Sequence, residues 1–332
     1  MRRGPTIAEV AQRAGVSTTT VSHAFSGRRP VAAETRNRIR HAVRELGYRP
    51  NGVARSLRTR RSQTVALIIP DITNPYYPAL ARGVQNVLAE SGYHVVVCNT
   101  DREPKYEHEY VADVLDRQVD GILMSAFHLR AEDLGGVFHD DVPFIAFGSR
   151  IEHPSVDVVR SDDAAGARHA TRHLLAAGHT RVGMISGPPG PPPSEARLEG
   201  YRAALAEAGI EPEPELVVEG DFTRAGGAAA MRRVASLRNW PTALFCANDL
   251  MAIGAMDAAR ELGLVLPDDL ALVGYDDIEA AAFLTPSLTT VLNPAHDLGT
   301  TAASLLLDRM RGYRGPRREV VIPHRLIERE SG

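Results

Sequence analysis

Cysteine is almost absent from this 332-residue sequence: Cys98 and Cys246 are the only two, and each stands inside an apolar run. A disulfide framework or a cysteine-rich metal site needs more cysteines, so we expect two buried free thiols. No apolar run reaches the roughly 18 residues of a membrane span. The first residues, MRRGPTIAEV, show no apolar h-region behind the arginines, so we expect a cytoplasmic protein without a secretory signal.

Motifs of the common enzyme classes are also missing. The chain has no G-x-G-x-x-G, no Walker glycine–lysine loop, no G-x-S-x-G and no H-E-x-x-H. His169 and His173 are four residues apart on a predicted helix, a spacing that suits a metal, but no third ligand stands nearby, which favours packing. We therefore expect no enzyme activity, no cofactor and no metal, although α/β folds host many enzymes.

Acidic residues are scarce at the N-terminus. Residues 1–61 hold fourteen arginines against three acids, a net charge of +11, whereas the whole chain carries −3. The rest of the chain therefore carries −14. A basic module joined to an acidic body is typical of a protein that binds nucleic acid.

The segment IAEVAQRAGVSTTTVSHAFSG, residues 7–27, predicts two short helices joined by a tight turn. Apolar residues recur at helical spacing in its first part, and Gly15 is placed to end that helix. Ser17 is a good N-cap for a second helix that runs to about Phe25. This arrangement is a helix-turn-helix.

The hydroxyl residues at the start of the second helix stand where a helix-turn-helix contacts DNA. The first turn of the second helix points into the DNA major groove. Thr18 and Thr19 are short enough to reach base edges, and they offer both hydrogen bonds and a methyl group. Thr20 is expected either to pack or to bond a phosphate. The alternative is that these hydroxyls only cap a helix.

A third amphipathic helix is predicted from Glu34 to Leu46, with Gly47 ending it. The basic segment PNGVARSLRTRRS follows, and Leu57 is its one large apolar residue. A lone leucine among arginines resembles an apolar wedge that enters a minor groove and kinks the duplex, with Arg58 in the adjacent groove.

The segments TIAEVAQRAGVSTTTVSHAFSG and ETRNRIRHAVRELGYRPNGVARSLRTRRSQTVALIIPDITNPYY resemble the lactose-repressor (LacI/GalR) family of bacterial transcription regulators. The resemblance extends from Thr6 to about Glu330. Within that family VSTTTVSH is most similar to the recognition helix of the purine repressor, and His23 stands where many relatives have arginine. The side chains expected at the DNA are Thr6, Ser17, Thr18, Thr19, Thr20, Ser22, His23, Arg29, Asn51, Ala54, Leu57 and Arg58.

The remainder reads as an α/β body, because apolar runs such as TVALIIP, YHVVVCN and RVGMISG alternate with helical patterns. GVQNVLAESG at residues 83–92 and GYRAALAEAG at 200–209 share G-x4-L-A-E-x-G, which favours two similar lobes. The resemblance implies the bilobed periplasmic-binding-protein fold with two parallel-sheet lobes behind an all-α head. The expected division is a helix-turn-helix domain at 1–50, a hinge at 51–61, and a body at 62–330. Lobe one of the body takes about 62–159 and 293–319, and lobe two takes about 160–292 and 320–330.

Ligands of such folds bind at the carboxyl ends of the strands. Polar residues there include Asp71, Asp249 and Asp277. As alternatives to ligand binding, Asp276 or Asp277 could cap a helix, and Asn248 with Asp249 could hold a turn. Arg197, Phe222, Asn248 and Asp276 match the family's effector positions. The full set of expected effector-binding residues is Asn74, Tyr76, Tyr77, Arg197, Phe222, Asn248, Asp276 and Asn293.

Two classes of effector remain open. The purine-like recognition helix points to a nucleobase, but the loop before Arg197 reads GPPGPPPSEAR, and Pro191 and Pro193 offer no side-chain donor. Arginine, carboxylates and amides grip hydroxyls while an aromatic face stacks on a ring. We therefore expect a sugar or sugar derivative, with a purine or nucleoside as the alternative.

The expected assembly is a homodimer on a pseudo-palindromic operator, since one helix-turn-helix reads only a few base pairs. The chain ends at RLIERESG without the leucine heptads of tetrameric relatives, which favours a dimer. The hinge is expected to order when two copies meet on DNA. A secreted solute-binding protein would lack the basic head, and a DNA-bending architectural protein would not need so large a body.

Overall fold

The computed structural model describes residues 5–26, 29–48, 61–148 and 151–332. The chain divides into two compact units, Met1–Ser62 and Gln63–Gly332. We call them the head and the body and describe each by itself. Among the described residues, no helix has the length and apolar character needed to cross a membrane.

The head packs three helices around a small core. They are α1 (Ile7–Ala14), α2 (Thr18–Ser26) and α3 (Ala33–Leu46). Val10, Val21 and Ile39 are buried together at its centre. Gly15 ends α1 with a φ of 64°, as predicted, because only glycine adopts this left-handed conformation at no cost. Phe25, near the end of α2, is 43% exposed and contacts Tyr48.

Lobe one of the body is built on a six-stranded parallel sheet in the order β11-β5-β4-β3-β1-β2. Its strands are β1 (Thr64–Ile69), β2 (His94–Asn99), β3 (Gly121–Met124), β4 (Phe144–Phe147), β5 (Val156–Ser161) and β11 (Glu319–Ile322). Its helices are α4 (Tyr76–Glu90), α5 (Pro104–Asp116), α6 (Gly135–His139) and α11 (Ala295–Met310), with a 3-10 turn at Ala131–Leu134. Apolar side chains of the four central strands, β1, β3, β4 and β5, are buried on both faces, as the continuous runs predict.

Lobe two repeats this plan in the order β12-β10-β9-β8-β6-β7, with β12 antiparallel at one edge. Its strands are β6 (Val182–Ser186), β7 (Val217–Glu219), β8 (Ala243–Cys246), β9 (Ala271–Asp276), β10 (Thr289–Leu292) and β12 (Arg325–Ile327). Its helices are α7 (Asp163–Ala176), α8 (Pro192–Glu207), α9 (Arg224–Ala235) and α10 (Asp249–Glu261), with 3-10 turns at Pro214–Leu216 and Glu279–Phe283.

The chain crosses between the lobes three times, near residues 162, 293 and 323. We expected the first and third crossings at 159–160 and 319–320. Both fall a few residues later, because β5 and β11 pair with each other as far as Ser161 and Ile322. These two strands therefore belong wholly to lobe one.

The glycine that begins the repeated G-x4-L-A-E-x-G pattern has a packing role. A Cβ on Gly83 of α4 would overlap the carbonyl oxygen of His296 on α11, and a Cβ on Gly200 of α8 would overlap that of Ala164 on α7. Each lobe thus packs a pair of helices backbone to backbone at a glycine. The glycine recurs at this place in the repeated pattern because the same close approach of two helices occurs in both lobes.

Candidate functional site

A cleft of about 680 Å³, its open mouth included, lies between the carboxyl ends of the two sheets. Residues of both lobes line it, as expected where ligands bind to parallel sheets. The structure brings together all eight residues predicted to bind the effector: Asn74, Tyr76, Tyr77, Arg197, Phe222, Asn248, Asp276 and Asn293.

Arg197, on α8, is the buried charge at the floor of the cleft. Its Nε donates to Asp163 over 2.9 Å, its Nη1 donates to the Ala247 carbonyl, and its Nη2 lies 3.5 Å from Asp276. The guanidinium also stacks 3.8 Å from the ring centroid of Tyr275. Burial alone would lower the pKa of Arg197, but the two carboxylates raise it, so the side chain stays charged.

Asp276 ends β9 and joins a chain of polar contacts along the crossings. Asn293 donates to Asp276 over 3.2 Å and accepts from the Ser161 hydroxyl over 3.0 Å. Burial raises the pKa of Asp276 to about 6, even though Arg197 and Asn293 oppose the shift. Its φ of 112° is a strained conformation for a residue with a side chain. The fold therefore holds this carboxylate at the cleft against an energetic cost.

Phe222 supplies an aromatic face from lobe two. Its φ is 65°, and Asn248 donates to its carbonyl oxygen over 3.1 Å. The Asn248 oxygen accepts from the Met251 amide and caps α10. The alternative that Asn248 holds a turn is therefore present, and Asn248 lines the cleft as well. Its contribution is to fix the turn that carries Phe222.

Lobe one contributes a turn and a pair of rings. Asn74 accepts from the Tyr76 amide over 3.1 Å and is buried. The rings of Tyr76 and Tyr77 meet edge to face, 5.1 Å apart. Burial raises the pKa of both phenols, so each remains a neutral donor at physiological pH.

Several lining residues were missed by the sequence reasoning. Ser125 and Ser161 lie at the ends of β3 and β5, where the strand-end rule would have found them. Asp163 begins α7, but its importance depends on its contact with Arg197. Phe127 and Arg102 stand in loops beyond the strand ends, where no sequence pattern marks them.

Two other strand-end candidates do not line the cleft. Asp249 is fully buried and accepts from the Thr290 hydroxyl and the Ile278 amide. Asp277 pairs with Arg329 over 2.7 Å. Both carboxylates fasten loops of lobe two, which is the alternative the sequence left open.

The cysteines and two of the histidines of the body have ordinary structural surroundings. Cys246 is buried, as expected, whereas Cys98 is only half-buried; both are free thiols. His169 lies against His324, with ring centroids 6.0 Å apart. Over the ranges that the structure describes, no three His, Cys, Asp or Glu side chains gather in a way that would hold a metal ion.

In the head, the hydroxyl residues of α2 divide into two pairs. The Ser17 oxygen accepts from the Thr20 amide over 3.1 Å, and the two hydroxyls lie 2.9 Å apart. Thr18 and Thr19 are exposed on the first turn. Ser17 and Thr20 thus hold the helix start, which leaves Thr18 and Thr19 available for a ligand.

The other residues predicted to contact DNA differ in their exposure and in their bonds. Thr6 caps α1 and shares a reciprocal capping box with Glu9. Ser22 and His23 are half-buried on α2, and Arg29 is exposed. The hinge candidates lie outside the described residues: Asn51, Ala54, Leu57 and Arg58.

Both units match known families. A family model of bacterial regulatory proteins, lacI family, matches residues 6–51, and one for a periplasmic binding protein-like domain matches residues 171–332. The HTH-type transcriptional repressor PurR of Aliivibrio salmonicida is 33% identical over 327 residues, 98% of each chain. The chain belongs to the LacI family. The expectation of a DNA-binding transcriptional regulator is thereby confirmed, and the relatives are regulators rather than enzymes.

Two solved structures of LacI-family regulators cover 99% of the chain. The regulator CelR in complex with cellobiose is 35% identical with a TM-score of 0.73, and this chain covers 100% of it. The Lac repressor dimer bound to operator and the anti-inducer ONPF is 27% identical with a TM-score of 0.87, and this chain covers 99% of it. The predicted fold, an all-α head with a bilobed α/β body, is confirmed.

Proposed function

We propose that this chain is a repressor whose operator affinity is set by a sugar or sugar derivative bound between the lobes. The observation that carries the proposal is the floor of the cleft, where buried Arg197 lies between Asp163 and Asp276. Guanidinium and carboxylate groups in that arrangement present both donors and acceptors to a ring of hydroxyls.

The charges of the cleft support a neutral ligand. The lining carries no net charge, because it contains three arginines and three carboxylates: Arg102, Arg160, Arg197, Asp71, Asp163 and Asp276. The first turn of α8 also lacks the amide donors that attract anions, because prolines occupy positions 191–193. Phe222 adds a face on which an apolar side of a sugar ring stacks.

In this proposal, Arg197, Asp276 and Asn293 bind hydroxyls, and Phe222 stacks on the ring. The remaining predicted effector residues, Asn74, Tyr76, Tyr77 and Asn248, complete the wall. A purine or nucleoside is the second candidate, favoured by the 33% identity with PurR over nearly the whole chain. Relief or enhancement of operator binding then follows from the different affinities of the effector for two states of the body.

The proposed DNA interface is the exposed first turn of α2, where Thr18 and Thr19 read bases in the major groove. Arg29 and the hinge candidates supply backbone and minor-groove contacts. We propose that the protein works in the cytoplasm, where its operator DNA lies, as a homodimer that matches two half-sites.

Exposed apolar side chains of the body support self-association. Val96 and Val97 on the edge strand β2 are 49% and 38% exposed, Ile72 is 50% exposed, and Phe283 in lobe two is 78% exposed. Apolar groups of this size in such positions favour a protein interface. Light scattering of the parent and of Val96→Lys checks this: the parent should be a dimer and the variant a monomer or a weaker dimer.

A calorimetric screen tests the effector class. Cellobiose, ribose, other mono- and disaccharides, purine bases and nucleosides are titrated into the full chain, and operator binding is measured with each hit. Binding of a sugar, weakened roughly 10- to 150-fold by Arg197→Ala, is expected, because a lost charge-assisted hydrogen bond costs about 1.5–3 kcal/mol. A purine hit without a sugar hit would replace our choice of ligand. A sugar that binds Arg197→Ala and Asp276→Asn unchanged would exclude this site.

A further inference from the structure

Arg102 forms a direct polar contact between the two lobes. Its Nη1 donates to the backbone oxygen of Asp221 over 2.7 Å and lies 3.8 Å from an Asp71 carboxylate oxygen. Arg102 follows β2 of lobe one, whereas Asp221 follows β7 of lobe two. We call this contact the edge bridge.

The sheet order places the edge bridge far from the crossings. β2 and β7 are the last strands of their sheets at one side. The crossings leave from β5, β10 and β11, at or next to the opposite side of each sheet. If the lobes open about the crossings, the side opposite the crossings moves furthest. A contact at that side therefore opposes opening more effectively than one near the crossings.

The local backbone is built to present this arginine. Asp101 and Arg102 both have left-handed φ angles, 51° and 64°, which cost free energy in residues with side chains. Asn99 donates to Asp101 over 2.6 Å, and His128 shares a hydrogen bond with the Arg102 carbonyl oxygen at 3.1 Å. Hydrogen bonds from Asn99 and His128 therefore stabilise the strained turn.

The edge bridge adjoins a second contact between the lobes. Asp221 immediately precedes Phe222, whose ring lies 6.5 Å from that of Phe127 in lobe one. The loop that carries Phe127 is itself fixed, because the buried carboxylate of Glu107 accepts from the amides of residues 127, 128 and 129. A rigid wall of lobe one thus faces the turn that Arg102 holds.

We propose that Arg102 is a positioning residue of the cleft: the edge bridge holds the lobes closed at the side opposite the crossings and fixes the Asp221–Phe222 turn. One charge-assisted hydrogen bond changes an equilibrium constant by a factor of about 10 to 150. Loss of the edge bridge should shift the body toward an open arrangement by a factor in that range.

The distance between two spin labels in the ligand-free full chain tests this. The labels are attached through Glu109→Cys on α5 and Ala229→Cys on α9, both exposed, in a Cys98→Ser background, while buried Cys246 stays unlabelled. Labelled chains are diluted with excess unlabelled chain, so that each assembly carries one labelled pair. Thermal unfolding verifies that each variant is folded.

Arg102→Ala should shift the distance distribution to longer and broader values. Arg102→Lys, which keeps the charge beside Asp71, should fall between the parent and the alanine variant. Arg224→Ala is the matched control, because Arg224 pairs with Asp257 inside lobe two over 2.7 Å, and it should reproduce the parent distribution.

A distribution for Arg102→Ala that superposes on the parent would overturn the proposal. So would an equal shift in Arg224→Ala, since opening would then follow from the loss of any surface ion pair. A shift in Arg102→Lys as large as that in Arg102→Ala supports the proposal and assigns the effect to the geometry of the guanidinium group.

Discussion

Individual residues of α2 show how neighbouring side chains of one chemical type take different roles. Ser17 and Thr20 bond each other and the backbone at the start of the helix, while Thr18 and Thr19 stay exposed. From the sequence, Ser17 is an N-cap and Thr18 and Thr19 are base readers, whereas Thr20 was expected either to pack or to bond a phosphate. The helical turn separates them, because it brings the Thr20 amide, and not those of Thr18 and Thr19, to the N-cap oxygen of Ser17.

This division predicts opposite phenotypes for two alanine variants. Ser17→Ala should lower the stability of the head by about 1 kcal/mol, because it removes an N-cap. Thr19→Ala should leave stability unchanged but cost about 1–3 kcal/mol of operator binding and change the preferred half-site. Thermal unfolding and selection of bound sites from random DNA measure the two effects. If Thr19→Ala selects the parent sequence, Thr19 reads no base.

A second prediction at this scale concerns Asp276. Burial raises the pKa of Asp276 to about 6 from an ordinary value of 3.8. The folded body therefore keeps this proton to a higher pH than the unfolded chain. The group's contribution to stability is complete below pH 3.8 and is lost as the pH rises through about 6. The loss amounts to about 3 kcal/mol, since each pKa unit corresponds to about 1.4 kcal/mol.

Asp276→Asn should remove that part of the pH dependence. Denaturant unfolding between pH 4 and pH 7 should show the variant gaining stability relative to the parent as the pH rises. Asp277→Asn, which alters a carboxylate paired with Arg329 outside the cleft, is the control. Parallel pH profiles for Asp276→Asn and the parent would mean that Asp276 titrates normally.

At the scale of elements, the body is organised by pairs of helices that touch at glycines. Gly83 lies against the backbone of α11, and Gly200 lies against the backbone of α7. The second pair matters for the cleft, because α7 begins with Asp163 and α8 carries Arg197. The distance between these two helices sets the geometry of the buried ion pair.

Gly200→Ala should therefore damage both stability and effector binding. The new Cβ would overlap the Ala164 carbonyl and force α7 and α8 apart, at a cost of about 1–3 kcal/mol. Gly135→Ala is a matched control, because Gly135 starts α6 with open space around it. It should be neutral or stabilising by up to about 1 kcal/mol. Equal unfolding midpoints for both variants would contradict the close packing.

The whole molecule consists of two units with separate cores and opposite charge. Val10, Val21 and Ile39 close the core of the head, and the three large clusters of the body lie in residues 63–332. Residues 1–61 carry +11 in a chain of net −3. Folding and ligand binding can thus belong to the body, while affinity for a polyanion belongs to the head.

A fragment of residues 63–332 should fold, bind the effector and fail to bind operator DNA. In the full chain, operator affinity should fall steeply with salt, with a log–log slope of about −0.9 for each phosphate neutralised. Fluorescence anisotropy over a salt series measures the slope, and calorimetry checks the fragment. Operator binding by the fragment would contradict the assignment of DNA affinity to the head.

The sequence by itself determined most of the architecture. The spacing of apolar residues, and the residues that begin and end helices, act over short segments of the chain. Gly15 and Ser17 mark the turn of the helix-turn-helix, and alternating apolar runs mark the parallel strands. Strand ends and the family resemblance together found eight lining residues, since the carboxyl ends of parallel strands must meet at one edge.

Only the tertiary structure decided which polar groups bond to one another. Asp249 and Asp276 both stand at strand ends, yet one is buried in a loop contact and the other lines the cleft. Arg102 and Asp163 follow the ends of β2 and β5, but their contacts carried no sequence signal, because their partners are 119 and 34 residues away. Local patterns fix the path of the backbone. Contacts between residues far apart in the chain depend on how helices and strands pack within each lobe and on how the two lobes face each other, and no short segment encodes that packing.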